Sequence, residues 1–293
     1  MMRSLLFVPG DSERKLDKGL SSGADVLIID LEDSVAPQNK QLARETAAGF
    51  MEARRHETAA AIYVRVNDLS TGLTDDDLQA IVQAAPDGIM LPKSNSGADV
   101  QHLSAKLRVH EAENGLPDGA IGIIPLITET AIGVLSGASY RGASSRLAGL
   151  TWGAEDLSAA IGARAARDDD GNYTDLFRFA RTVTLLAASA ADVAAIDTVF
   201  VNFRESEALR KDCLEAERDG FTGKLAIHPA QVPIINEAFT PSEASVDQAR
   251  AVVAAFESAG NPGVVSIDGQ MYDVPHLKRA LRLLARVGPV NLG

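Results

Sequence analysis

Acids, bases and a guanidinium gather at the ends of short apolar runs in this chain. They are Arg14 and Lys18 shortly after Pro9-Gly10, then Asp30-Leu31-Glu32-Asp33, Arg65 with Asn67, Pro92-Lys93, Thr128-Glu129-Thr130, Glu155-Asp156, and His228. Charged side chains brought to one rim are costly unless they pair, bind a metal or meet a charged ligand. Glu129 and Asp156 are the best metal ligands, because two hard carboxylates leave room for the waters that Mg²⁺ usually keeps. Both also suit helix N-termini, Glu129 beside Thr128 and Asp156 after Trp152-Gly153-Ala154. Arg65 closes an otherwise apolar run. Its fork can receive a carboxylate or a developing enolate oxygen, or form a buried ion pair with Asp30 or Glu32. Asp30, Glu32 and Asp33 cannot all be direct metal ligands, so some order metal-bound water or hold Arg65. Arg14 and Lys18, four residues apart, share a helix face, and with Glu13 and Asp17 alongside the spacing alone reads as solvated surface. His228, ahead of Pro229, lines a rim or ends a run and is not placed as a metal ligand. Cys213 lies among Lys211, Asp212 and Glu215 with no base arranged beside it, and reads as inert.

The elements that must position these groups alternate. Apolar runs occur at Ser4–Val8, Asp25–Ile29, Ala61–Val66, Gly88–Leu91, Ala120–Ile127, Arg146–Thr151, Ala194–Val201 and Lys224–Ile227. Nearly continuous hydrophobicity of this kind suits parallel strands buried on both faces. The stretches between them are helical in spacing. Ala36–Arg55 places Leu42, Thr46, Phe50 and Ala53 on one stripe, and Asp75-Asp76-Asp77 puts acids where a helix N-terminus favours them. Eight βα units predict a (β/α)8 TIM barrel over residues 1–238. A doubly wound open sheet is the alternative, but no Gly-rich dinucleotide fingerprint follows the first run. Arg164–Tyr173 is polar and turn-rich and predicts an exposed loop. Residues 239–293 predict a helix–hairpin–helix extension. One helix runs from Pro241-Ser242 to Ala259, the hairpin turns at Asp268-Gly269, and the last helix carries Leu277, Ala280, Leu281 and Leu284 on one face. This extension is small for an independent fold and is expected to pack on its own barrel or on a neighbouring subunit.

Composition narrows the function classes. The 293 residues include 28 Lys+Arg and 40 Asp+Glu, for a net charge of −12, which argues against nucleic acid or an anionic membrane as a bulk partner. A local basic pocket for phosphate is not excluded. One cysteine rules out an internal disulfide framework and a multi-Cys zinc site, and fits a reducing cytoplasm. Ile121–Ile127, interrupted by Gly122 and Pro125, is too short to span a bilayer. The opening Met1–Gly10 lacks the apolar core of roughly seven or more residues that a signal peptide needs, and reads as a first strand.

Five motifs, each at the end of an apolar run and in order, carry a family resemblance. They are Arg3-Ser4-Leu5-Leu6-Phe7-Val8-Pro9-Gly10, Asp30-Leu31-Glu32-Asp33-Ser34-Val35, Val64-Arg65-Val66-Asn67, Leu91-Pro92-Lys93 and Gly153-Ala154-Glu155-Asp156-Leu157. Together they resemble the citrate lyase β-subunit/malyl-CoA lyase family of the aldolase/citrate lyase superfamily, over almost the whole chain. The resemblance implies a (β/α)8 barrel, Mg²⁺ held by Glu129 and Asp156, and C–C cleavage or formation beside a thioester. It further implies a substrate-binding role for Arg65, with Glu32 and Asp33 in the catalytic set, and CoA phosphate contacts for Arg14 and Lys18. Asp273, in Gly269-Gln270-Met271-Tyr272-Asp273-Val274-Pro275, matches a tail aspartate that reaches a neighbouring subunit's active site as acid/base; its residue-level alternative is an N-cap ahead of Pro275. The resemblance also implies a homotrimer or hexamer. Tyr272 stands where the resemblance implies an aliphatic residue, and His276 follows Pro275; both bear on acyl preference. The form Gly153-Ala154-Glu155-Asp156 is closer to free-standing CoA lyases than to a subunit of three-component citrate lyase. The expected reaction is retro-Claisen cleavage of a citramalyl-CoA or malyl-CoA type thioester to acetyl-CoA and a 2-oxoacid. A citryl–acyl-carrier lyase subunit, a malyl-CoA thioesterase and a non-catalytic CoA-binding barrel are the alternatives.

Overall fold

Each of the eight apolar runs forms a strand in the computed structural model, which describes residues 1–287. The first half alternates β1 (Ser4–Pro9), α1 (Glu13–Leu20), β2 (Val26–Asp30), α2 (Lys40–Arg54), β3 (Ala61–Arg65), α3 (Thr74–Ile81), β4 (Gly88–Leu91) and α4 (Gly97–Glu113). The second half continues with β5 (Gly122–Pro125), α5 (Ala131–Leu135), β6 (Gly149–Thr151), α6 (Ala154–Ile161), α7 (Asp175–Ala191), β7 (Ala194–Asp197), α8 (Ser206–Asp219), β8 (Gly223–Ala226) and α9 (Val232–Phe239). The strands form one sheet ordered β5-β4-β3-β2-β1-β8-β7-β6, and its paired strands run parallel. Single parallel bridges, Ile123 to Leu147 and Leu126 to Thr151, close β5 onto β6. This is the expected (β/α)8 TIM-type barrel.

Strand alternation explains why the runs are apolar throughout. Leu5, Val26, Ile28, Tyr63, Met90, Ile124, Leu126, Ile196 and Leu225 pack together as one cluster. Their sequence neighbours Leu6, Leu27, Ile29, Ile62, Val64, Ile89 and Ile123 pack in a second cluster with helix residues such as Ala43, Leu78 and Leu103. Each fully buried side chain of this size contributes about 1.5–3 kcal/mol, so both strand faces favour the closed sheet. Register then sets the chemistry: Pro9 lies opposite Asp30, and Asp30 opposite Arg65.

Several local expectations change. β5 and β7 are shorter than their apolar runs, because Leu126 and Ile127, and Thr198 to Val201, continue as loop. Leu42 is 52% exposed; the buried face of α2 is Ala43, Arg44, Ala47, Phe50 and Met51. An arginine belongs on that face because Asp77 meets it at 2.7 Å, and Asp77 also accepts from the Asn67 backbone N–H. Asp77 is therefore a buried clamp rather than a solvated helix-start acid. Arg164–Tyr173 is mostly exposed, but Tyr173 is buried edge-on to Trp152, with ring centroids 5.1 Å apart. Arg167 covers the Tyr173 ring at 3.7 Å and pairs with Asp212 at 2.8 Å. Its partner lies 45 residues away, so local polarity conceals the anchor.

A second compact unit begins at Thr240 and contains α10 (Glu243–Ser258), β9 (Val264–Ile267), β10 (Gln270–Asp273) and α11 (Val274–Val287). Asp268 and Gly269 both take positive φ, 49° and 79°, as the tight hairpin requires. Ala249, Val252, Phe256 and Ala280 form its core, joined by Leu277, Leu283 and Leu284. Leu281 is 48% exposed: one residue advances the helix face by about 100°, which turns it out of the stripe centred on Ala280. No helix among the described residues is long and apolar enough to cross a membrane.

Candidate functional site

Parallel strands deliver their C-terminal residues to one rim, and the acids and bases singled out in β2, β3, β4, β5 and β6 meet there. Arg65 donates from Nε and Nη2 to the two oxygens of Asp30, each at 2.7 Å. Asp30 also accepts from the backbone N–H groups of Glu32 and Ser34. Burial would raise its carboxyl, but the Arg65 charge and these hydrogen bonds bring it below the ordinary value. Asp30 is thus the anchor of Arg65. The ion-pair reading of Arg65 holds, and its Nη1 is also 2.9 Å from Glu32. Part of the five-donor guanidinium still borders the cavity.

Lys93 completes the cluster, and sequence reasoning gave it no role. Its φ of 51° is left-handed, an uncommon state for a residue with a Cβ. That conformation points its backbone N–H at Glu129 Oε2, 2.6 Å away, while Nζ reaches Glu32 at 2.5 Å, Asp156 at 3.2 Å and Asp33 at 3.7 Å. The available signal was a lysine two residues after a buried strand. Burial would lower its ammonium, but Glu32, Glu129 and Asp156 raise it above the ordinary value. Burial raises the Glu32 carboxyl, with Arg65 and Lys93 opposing.

Glu129 is only 3% exposed. Burial, and then the Asp156 charge, push its carboxyl up to about 8 against the Lys93 N–H. Gly153 makes this packing possible: a Cβ there would lie 2.8 Å from Glu129 Oε1. Asp156 sits in the first turn of α6, immediately beyond that contact. Arg65, Asp33, Glu129 and Asp156 line one cavity of ≈ 410 Å³ whose apolar walls include Phe7, Leu126 and Leu225. Among the described residues no three His, Cys, Asp or Glu side chains are grouped to hold a metal ion. A two-carboxylate arrangement therefore relies on water or a bound oxygen ligand to complete a coordination shell.

Arg14, Lys18 and His228 do not line this cavity. Arg14 and Lys18 are exposed on α1, past the end of β1, with Leu16 and Gly19 on its buried face. No ion pair among the described residues engages either; Asp17 pairs with Arg54 instead. His228 caps the turn at Pro229–Gln231 and stacks on Phe203, with ring centroids 4.6 Å apart. Burial pushes the Cys213 thiol up to about 12, which keeps it unreactive. In the second unit, Asp273 accepts from the His276 backbone N–H at 3.3 Å, and its own N–H reaches His276 Nδ1 at 3.3 Å. This reciprocal pattern is a helix-capping box, so the N-cap reading of Asp273 holds in this chain.

A buried charge cluster was also missed. Lys224, inside β8, meets Asp197 at 2.6 Å and Asp212 at 2.7 Å. Arg181 also pairs with Asp197, at 2.9 Å, and Trp152 Nε1 donates to Asp197 at 2.8 Å. A lysine within an apolar run was the only local hint.

The family model for HpcH/HpaI aldolase/citrate lyase matches residues 3–229. The (3S)-malyl-CoA thioesterase of Cereibacter sphaeroides is 35% identical over 288 residues, covering 97% of this chain and 94% of its own. The mitochondrial citramalyl-CoA lyase of Rattus norvegicus is 32% identical over 294 residues, covering 96% of this chain and 85% of its own. Among solved structures, the CitE protein of Mycobacterium tuberculosis in complex with magnesium, acetoacetate and coenzyme A is similar with a TM-score of 0.77 and 33% identity, covering 98% of each chain.

Proposed function

The chain belongs to the HpcH/HpaI aldolase/citrate lyase family, and from that premise we propose that it is a Mg²⁺-dependent lyase of citramalyl-CoA or malyl-CoA type thioesters. The products are acetyl-CoA and a 2-oxoacid, released by retro-Claisen cleavage. The observation that carries this reading is the convergence of Glu129, Asp156 and Arg65 on one cavity. The donor set fits a hard divalent cation. Burial and the Asp156 charge disfavour the Glu129 carboxylate, and a cation held by the two carboxylates would supply the charge that Lys93 only partly provides.

Glu129 and Asp156 would hold Mg²⁺, which when bound supplies Lewis acidity to oxygens of the substrate. The protein's own groups do the rest. Arg65, fixed by Asp30, stabilises negative charge as the thioester becomes an enolate, and its rigid pairing removes reorganisation from that step. Glu32, raised by burial, and Asp33, at the open edge, flank the place where the 3-hydroxyl proton leaves. Arg14 and Lys18 supply cations for the CoA phosphates. Asp273 exchanges the proton at the acetyl carbon, delivered by a second copy of the chain in a homotrimer or hexamer. The similarity to a malyl-CoA thioesterase supports a second reading, in which water attacks the thioester at the same site.

The test is a coupled assay with Mg²⁺ in which malyl-CoA and citramalyl-CoA are offered separately, while glyoxylate, pyruvate and free CoA are followed. Oxoacid formed together with acetyl-CoA is the expected result. Free CoA with intact malate or citramalate would replace it with the thioesterase reading.

A further inference from the structure

The charge cluster around Lys224 has no part in the proposed chemistry, yet one of its hydrogen bonds reaches a residue of the site. Asp197 ends β7 and accepts from Arg181, Lys224 and the indole N–H of Trp152. Lys224 also meets Asp212, which pairs with Arg167. Asp197 and Asp212 are therefore faced by three cations, so the bond from Trp152 is not needed to neutralise them. What it adds is position. The β6–β7 ladder ends at Thr151 and Ile196, and the Trp152–Asp197 bond joins the next residue of each chain segment. Gly153 follows Trp152 and lies against Glu129, and the first turn of α6 then presents Asp156.

We propose that Asp197, acting through the Trp152 indole, is a positioning residue for the Glu129–Asp156 pair. Released from Asp197, Trp152 could turn, and Gly153 and the start of α6 would no longer be fixed against the Glu129 carboxylate. The proposal concerns how the strap at 152–156 is held, and it rests on the Mg²⁺ reading only for its functional consequence.

Trp152 is the chain's single tryptophan, so its emission reports on this strap alone. Addition of Mg²⁺ to the wild-type protein should change that emission saturably, with the same Kd as calorimetry, and Glu129→Ala should abolish the response. Trp152→Phe keeps an aromatic ring but removes the donor together with the five-membered half of the buried indole. Its Mg²⁺ Kd should rise by about 10- to 100-fold, the scale seen when a group that orients a metal ligand is lost. The Mg²⁺ concentration for half-activity should rise in parallel. In the metal-free variant, backbone amides 153–157 should exchange hydrogen faster than in the wild type. Wild-type exchange and wild-type Mg²⁺ affinity in Trp152→Phe would each overturn the positioning role. A wild-type protein that binds no Mg²⁺ at all would instead refute the metal assignment, and the exchange measurement would still decide whether the indole holds the strap.

Discussion

Glu129 is the residue at which function and stability pull hardest in opposite directions. Its ordinary carboxyl value is 4.5, and in the fold burial and Asp156 push it up to about 8. A raised carboxyl makes folding take up a proton, so the group opposes folding increasingly as pH climbs from 4.5 towards 8. Glu129→Gln keeps the shape and removes that penalty. It should raise metal-free stability at pH 7 by about 1–3 kcal/mol, read from urea unfolding, while Mg²⁺ binding falls below calorimetric detection. A variant that gained no stability would mean that the carboxyl is not strained, and retained Mg²⁺ affinity would remove Glu129 from the metal site. Arg65 illustrates the complementary case. Its charge is secured by Asp30 and Glu32, so the same pairing that a purely structural view predicts also fixes the donor that the chemistry needs.

At the scale of elements, the weak place in the barrel is the β5–β6 seam, which single bridges close. Beside it, Arg146 leads into β6 and donates from Nη1 and Nη2 to the two oxygens of Glu111 on α4, each at 2.6 Å. Glu111 also accepts from the backbone N–H groups of Gly119 and Ile121 ahead of β5. One carboxylate thus clips α4, the approach to β5 and the start of β6. Burial would raise it, but Arg146 and the two backbone donors bring it below the ordinary value of 4.5. A lowered carboxyl contributes stability above its unfolded value and loses it as pH falls through the folded one. Glu111→Gln should therefore cost about 3–5 kcal/mol at pH 7, since it leaves a buried guanidinium partly unpaired. The gap to wild type should close in acid, which urea unfolding at pH 7 and pH 3 would show. The strands on either side of this seam were legible in the sequence because burial on both faces leaves a continuous apolar run. Glu111 and Arg146 were not, and neither were Lys93 and Lys224. Each is a charged residue whose partner lies far off in the chain, and periodicity reports only on near neighbours. Leu42 shows the converse limit. It fits a helical stripe, but the stripe that packs is fixed by Arg44 finding Asp77, which spacing cannot reveal.

At the scale of the whole molecule, the acid/base role proposed for Asp273 predicts which chain would supply it. In its own unit it caps α11 through His276, a role that any helix start could ask of an aspartate. A cap and an acid/base are compatible, because a capping carboxylate retains lone pairs for a ligand. They differ in what an oligomer predicts. Suppose Glu129→Ala and Asp273→Asn are each inactive, and are unfolded together and refolded into mixed oligomers. If Asp273 acts within its own chain, every site contains one lesion and no activity returns. If Asp273 crosses to a neighbour, random mixing pairs an intact Glu129 with an intact Asp273 in about a quarter of sites, and activity returns in that proportion. Recovery to about a quarter of wild type is the expected outcome. Zero recovery, with mixed oligomers verified by mass, would confine Asp273 to its own chain or to its cap. The readout needs no knowledge of the oligomer's size, because the fraction depends only on each site drawing its two residues from two different chains.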